Sequence, residues 1–287
     1  MNQSIKGTIY VLLSAICFAL GGVLIKLVPW SALSIQGARS VFSSLVVIGY
    51  MVLTKRKFVW NKSVLLGGIS IFSMALTFVL ATKLTTAANA IVLQFTEPIF
   101  IILLLWIIYK KKPGKDAILA SIAIFAGILC FFFESLSAGG MLGNVIAIFS
   151  GFAYAWVFLI KKFPGADFES SLLLSNALSI LVGIPWYAKE TQSSAGIWFC
   201  IVLLGVFQCG MSYIFLSKGL DYVSPVMASL TSTIEPILNP LLVAWFYDEK
   251  IGVMAVIGAL LVVGSATIYS VVQAKKDTSA GEKNQNE

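Results

Sequence analysis

Apolar and polar residues fall into long blocks along this chain rather than alternating within helical turns. Ten apolar runs, at about 7–28, 32–54, 64–83, 86–109, 116–134, 140–161, 169–188, 196–217, 224–246 and 251–273, are separated by short polar connections. A bilayer-spanning helix takes roughly 20 apolar residues, so each run suits one crossing. The pattern predicts an all-α polytopic membrane protein with ten transmembrane helices and no loop long enough for a soluble domain. The run from Gly7 to Val28 exceeds a signal-peptide core and no small-residue cleavage site with a soluble domain follows it, so it is expected to stay as the first span. Residues 274–287 (AKKDTSAGEKNQNE) are polar and lack aromatics, which predicts a disordered cytoplasmic tail.

Basic residues orient the chain. With the N-terminus inside, fifteen of the 20 Lys and Arg fall in cytoplasmic segments, chiefly Lys55–Lys62, Lys110–Lys115, Lys161–Lys162 and the tail. Four (Lys26, Lys83, Lys189, Lys250) fall outside, and Arg39 lies within a span. The positive-inside bias predicts both termini in the cytoplasm.

The two halves repeat. Gly7–Lys26 aligns with Gly143–Lys162, pairing Ser14 with Ser150; the run around Glu97-Pro98 aligns with that around Glu235-Pro236; and Ser121–Ile128 aligns with Gly258–Ser265. Five spans per half is an odd number, so the second copy enters from the opposite side. The expected architecture is two inverted five-helix repeats, 5–134 and 140–273, with a site near the midplane between them and alternating access as its motion.

Glu97 and Glu235 are the sharpest chemical features, each about eleven residues into its span. A carboxylate at that depth costs roughly 2.5–3.5 kcal/mol unless it faces protein or water or takes up a proton. Pro98 and Pro236 cannot donate to the carbonyls of Gln94 and Ser232, so each Glu-Pro predicts a kink with a freed carbonyl. Two readings fit each glutamate: a substrate or proton site, or a protonated side chain that fixes the kink by bonding neighbouring backbone. Gln94 lies one turn before Glu97, and Thr231, Ser232, Glu235 and Asn239 form a polar stripe, with Asn239-Pro240 predicting a second kink. Tyr154, Trp156 and Tyr213 lie mid-span and suit either a cavity wall or aromatic packing. Arg39 could receive a substrate carboxylate; its depth favours snorkelling to the outer surface or pairing with a glutamate. Trp30, Trp60, Trp106, Trp186 and Trp198 fall near span ends, as an interface belt would place them. Ala123 and Gly127, with Ala255 and Ala259, have the spacing of close helix packing, which assigns the fifth and tenth spans to scaffold or subunit contact.

Composition closes off other classes. Of the 287 residues 59% are hydrophobic and only 11% charged, with a mean hydropathy of +0.93, too apolar for a soluble domain. The chain has no His, so His-dependent catalytic pairs and most zinc sites are excluded. Cys17, Cys130, Cys200 and Cys209 lie in apolar runs without C-x-x-C spacing and read as small buried hydrophobes. The net charge of +7 sits in loops, where anionic lipid rather than nucleic acid is the expected partner.

The blocks AANAIVLQFTEPIFIILLLWIIY (Ala87–Tyr109) and SPVMASLTSTIEPILNPLLVAWFYDEKIG (Ser224–Gly252) resemble the fourth and ninth helices of the EamA family, within the drug/metabolite transporter superfamily. FALGGVLIK (Phe18–Lys26) resembles its first helix, and Arg39 sits where its second often carries Arg. The resemblance covers about 5–273 as two EamA repeats. It implies a ten-helix inverted-repeat transporter with both termini cytoplasmic and a site among helices 1, 3, 4, 6, 8 and 9. Lys110-Lys111-Lys112 and Glu249-Lys250 depart from its loop pattern, which leaves the fold untouched. The family spans amino-acid, nucleobase and drug exporters and some importers.

The expectation is a secondary transporter of the cell membrane, moving a small amino-acid-like metabolite outward. Its candidate substrate-binding residues are Gln94, Glu97, Tyr154, Trp156, Tyr213, Ser232 and Glu235. No enzyme activity, cofactor or metal is expected. The partners are a small-molecule substrate and the lipid bilayer, with protons a candidate coupling ion and monomer and homodimer both open. The rivals are an organic-cation or drug exporter, an open channel, and a non-transporting membrane protein.

Overall fold

The computed structural model describes residues 3–85, 87–110, 112–131, 133, 140–238 and 252–285. Its helices are α1 (Gln3–Ala19), α2 (Gly21–Leu27), α3 (Ala32–Leu53), α4 (Lys62–Leu84), α5 (Ala87–Gln94), α6 (Glu97–Tyr109), α7 (Lys115–Phe131), α8 (Met141–Leu159), α9 (Phe168–Tyr187), α10 (Ala195–Leu203), α11 (Ser212–Gly219), α12 (Pro225–Ser232) and α13 (Val253–Gln285). A π-helix (Leu204–Met211) joins α10 to α11. Six stretches among the described residues are long and apolar enough to cross a bilayer: Ala32–Leu53, Lys62–Ala81, Asn89–Tyr109, Met141–Lys162, Phe168–Tyr187 and Ala195–Gly219. Gln3–Ala19 and Val256–Tyr269 are shorter apolar helices.

Local chemistry sets the helix starts. Ser31, Asn61, Asp167, Ser194 and Ser224 each stand in extended conformation before a helix and accept from the N–H three residues on, satisfying a donor with no partner in the first turn. The segment from 274, predicted to be disordered, is instead helical to Gln285. That stretch lacks proline, and its Ala274, Lys275, Lys276, Ala280, Glu282, Lys283 and Gln285 sustain helical geometry at little cost.

Polarity is inverted relative to a water-soluble protein. Leu45, Val52, Leu53, Ile184 and Leu260 are exposed, whereas Glu97, Gln94, Asn176, Glu169 and a set of serines are buried. An apolar exterior around a polar interior is what a hydrocarbon solvent demands. Trp60, Trp106 and Trp186 are exposed; Trp30, expected in the interface belt, is buried among aromatics instead.

Helix packing respects the repeat. The largest contacts include those of α3 with α9, α4 with α8, α7 with α13 and α1 with α11, and α6 also touches α12. Number the apolar runs one to ten and exchange each with its counterpart five further on: runs two and seven, five and ten, and four and nine swap within their own pairs, while three-with-six becomes eight-with-one. The packing pattern is unchanged. Glycines mark the close approaches: a Cβ on Gly183 would lie 2.6 Å from Gly37 Cα where α3 crosses α9, and one on Gly127 would lie 3.0 Å from the Gly258 carbonyl where α7 meets α13. The fifth and tenth runs thus pack on each other as α7 and α13; the Ala255 side chain lies outside the description.

Beyond α9, Glu190 accepts from Ser31 N–H (2.8 Å) and Ser34 Oγ (2.7 Å), tying its loop to the start of α3. Partial burial pushes the Glu190 carboxyl up, but these hydrogen bonds outweigh it and hold the group below its ordinary value of 4.5. A lowered pKa means the carboxylate adds stability above the ordinary value, and that contribution fades as pH falls through the folded-state value. Glu190→Ala is therefore expected to lower the melting temperature at pH 7, with the gap to wild type closing as pH falls through the folded-state value. Thermal melts of both proteins across that range check this; a gap that persists at low pH would assign the effect to packing.

Candidate functional site

Two helix breaks, one from each half, form the centre of the molecule. Run four is interrupted by a turn at Phe95–Thr96 and run nine by one at Thr233–Ile234, and Glu97 and Glu235 open the helices that resume. Pro98 and Pro236 cause both interruptions, since neither can donate back to Gln94 or Ser232. The kinks fall where the two Glu-Pro pairs predict them. A Cβ on Gly151 of α8 would lie 2.6 Å from the Gln94 carbonyl, so only a glycine lets α8 approach the freed backbone of run four this closely.

The two carboxylates differ in surroundings. Glu97 is fully buried, and its Oε1 accepts from Ser229 Oγ at 3.0 Å. Its Oε2 is buried without a hydrogen-bond partner among the described residues, as is Oε2 of the partly buried Glu235. The counterpart of Ser229 in the first repeat is Ile91, which has no hydroxyl to offer Glu235.

The same asymmetry appears one turn away. Gln94 Nε2 donates to Ser150 Oγ (2.8 Å), which donates to the Met74 carbonyl (3.1 Å). Ser150 aligns with Ser14, and Gln94 with Ser232. Ser232 carries a shorter side chain and bonds its own helix at Ala228 O (2.9 Å). Ser14 Oγ is left buried and unpartnered among the described residues. Three orphaned oxygens, on Ser14, Glu97 and Glu235, thus lie in an interior where each unmet polar group costs about 1–3 kcal/mol.

Tyrosines complete the centre. Tyr154 packs edge-on against Phe95 (6.5 Å between ring centres) and Tyr213 edge-on against Phe18 (5.0 Å); both are buried. Glu97 lies within electrostatic reach of Glu235, Tyr154 within reach of both and of Tyr213, and Tyr213 within reach of Glu235, Cys209 and Arg39. Glu97, Glu235, Tyr154 and Tyr213 are therefore neighbours, with Gln94 and Ser232 on the turns leading into the two breaks. Trp156 is not brought to them. Two residues along a helix is about 200° of rotation from Tyr154, and Trp156 stacks on Phe163 (5.7 Å) and meets Phe152 (6.3 Å).

Two nearby carboxylates in a low-dielectric interior repel when both are charged and favour a cation between them.

Arg39 does not snorkel, and among the described residues it meets no glutamate. It is buried; Nε (3.1 Å) and Nη2 donate to Gln36 Oε1, and Nη1 donates to Gln208 Oε1 (2.6 Å). Two amide oxygens inside the bundle outcompete the surface because they meet its donors without stretching the side chain outward. Sequence reasoning missed Gln36, Gln208, Ser229 and Ser14; polar residues inside apolar runs were the available signal. Asn239, Pro240, Glu134, Glu249 and Lys250 lie outside the described residues.

A cavity of about 630 Å³ opens where the lysine-rich loops gather, lined by Lys112, Asp116, Lys162, Asp221, Ile102 and Met227 among others. Ile102 on its wall is five residues, or about 7.5 Å of helix, from Glu97. At its rim Lys161 is paired with Asp221 (2.6 Å) and Lys6 bonds Tyr222 (3.0 Å). At the other end of the molecule Trp30 meets Tyr187 and Trp198 edge-on (5.5 and 5.4 Å), and Thr85 bonds Asn144 (2.8 Å).

The family described as "EamA-like transporter family" matches residues 5–133 and again 141–271. The chain is 23% identical to the uncharacterized transporter YyaM of Bacillus subtilis over 228 residues, 74% of each chain. It is 25% identical to human solute carrier family 35 member G1 over 288 residues, covering 90% of this chain and 77% of that one. It is 22% identical to the uncharacterized inner membrane transporter YicL of Salmonella typhimurium, covering 98% and 100%. A protein of known crystal structure, 15% identical, superposes with a TM-score of 0.81 over 94% of this chain and 98% of its own, which shows a shared fold.

Proposed function

The chain belongs to the EamA-like transporter family, a multi-pass membrane transporter of small solutes, and from that premise we propose that it is a secondary transporter carrying an amino-acid-like metabolite outward by alternating access. In this reading the ten apolar runs are ten spans, the halves are inverted repeats, and both termini lie in the cytoplasm. The observation that carries it is the pair of Glu-Pro breaks, one per half, each with a buried carboxylate oxygen that has no partner among the described residues. Gln94, Glu97, Tyr154, Tyr213, Ser232 and Glu235 receive the substrate, with an ammonium or a proton between the carboxylates. The cavity on the lysine-rich side is then the cytoplasmic entrance, and the aromatic cluster at the opposite end the closed gate.

Two carboxylates flanked by tyrosines also suit a permanent organic cation, the second reading. Proteoliposome counterflow separates the two. With L-leucine, L-threonine and L-phenylalanine as labelled probes and tetraethylammonium as competitor, the expected result is saturable, exchangeable amino-acid flux. Tetraethylammonium flux with no amino-acid exchange favours the second reading. Flux of neither above protein-free liposomes, or flux that rises linearly without exchange, overturns both.

A further inference from the structure

Arg39 is a buried cation whose hydrogen-bond partners among the described residues are neutral. Its hydrogen bonds go to the amide oxygens of Gln36 and Gln208. The ion pairs among the described residues are Arg56 with Glu169 and Lys161 with Asp221, and neither involves it. A guanidinium stays charged in proteins and carries five N–H donors. Three are engaged here, which leaves one N–H on each of the terminal nitrogens Nη1 and Nη2 to donate to a carboxylate. Burial of an ion without a counter-ion costs several kcal/mol, and no described residue supplies the charge this guanidinium would pair with.

Three irregularities converge on the same point. Gln208 lies within the π-helix, a distortion frequent at functional sites, and Ser212 Oγ bonds its carbonyl. The Gln208 side chain lies against Gly21, where a Cβ would be 2.8 Å from Nε2, at the interruption between α1 and α2. Gln36 is steadied from α9 by its bond to Ser179 Oγ (3.1 Å). Tyr213 lies within electrostatic reach of both Arg39 and Glu235, so the cationic and anionic groups border one region.

We propose that Arg39, positioned by Gln36 and Gln208, is an anion subsite that takes the carboxylate of the transported molecule, so that the substrate bears an acidic group as well as whatever the glutamates hold. This rests on the transporter reading and adds a requirement to it: the amide or decarboxylated form of a substrate is refused.

The test is thermal stabilisation of the purified full-length protein by four related probes: L-phenylalanine, L-phenylalaninamide, phenethylamine and hydrocinnamate. L-Phenylalanine and hydrocinnamate are expected to raise the melting temperature, and the two probes without a carboxylate to raise it far less. Arg39→Gln is expected to weaken carboxylate binding about 10- to 100-fold, the range expected of charge-assisted hydrogen bonds. Since Arg39→Gln could fail to fold, Gln208→Glu is the second variant. It gives the guanidinium an internal carboxylate, and the expected result is a folded protein that no longer responds to the carboxylate probes. Equal responses to acid and amide, no response to any carboxylate, or a Gln208→Glu protein that responds like wild type overturns the proposal. The central site fails separately, if Glu97→Gln and Glu235→Gln leave the response to phenethylamine and L-phenylalanine intact while Arg39→Gln removes that to hydrocinnamate.

Discussion

Glu97→Ala is expected to lower exchange flux at least about 100-fold, to the level of protein-free liposomes. Glu97→Gln is expected to be as inactive while keeping its fold. The glutamine oxygen still accepts from Ser229 and still ends the break in run four, so its melting temperature should match wild type to within about 1 kcal/mol of stability. The alanine variant leaves Ser229 unpartnered and a void in a fully buried position, a loss of about 2–3 kcal/mol. The pair of variants separates charge from scaffold. A Glu97→Gln protein with near-normal flux would make the carboxylate a structural prop for the kink. Glu235→Gln should be equally inactive with a smaller stability change, because Ile91 replaces the serine that would have bonded it.

The second large effect is expected at Gly151. Its missing side chain is what lets α8 rest against the Gln94 carbonyl, and Gly151→Val would place a branched side chain where a Cβ alone is already 2.6 Å from that oxygen. The backbone must give way, since an oxygen freed by Pro98 has no flexible end to swing aside. Overpacking of this kind costs about 1–3 kcal/mol, and here it also displaces Gln94, Tyr154 and the break that presents Glu97. Thermal melts and counterflow are expected to fall together, with Gly151→Ala intermediate. A valine variant that transports normally would separate the α5–α8 contact from the site.

Much of this was legible in one dimension. Runs at 32–54, 64–83 and 86–109 match α3, α4 and the α5–α6 pair within a few residues, because apolar length against bilayer thickness is a strong signal. The Glu-Pro kinks were legible too, since the missing proline N–H acts within one turn. What could not be read is which polar residue meets which across the bundle. Ser229 is 132 positions from Glu97, and Gln208 is 169 from Arg39. No periodicity within a span encodes such partnerships. The Arg39 expectation failed for that reason: depth in its own helix suggested the surface, while two amides from elsewhere in the fold were nearer. The π-helix was hidden because it leaves the apolar pattern intact, and Trp156 stands apart from the other candidates because two residues on a helix face opposite ways.

The exchange of halves that leaves the packing unchanged carries a thermodynamic corollary. A chain with identical halves would be degenerate, resting equally open to either compartment, because swapping the copies converts one state into the other. Any resting preference must then originate in mismatched positions: Ile91 opposite Ser229, Ser232 opposite Gln94, and above all the charged Arg39 opposite Asn176. On the alternating-access reading proposed above, those pairs set the bias toward one compartment, and exchanging their members, rather than altering the matched framework, would reset it.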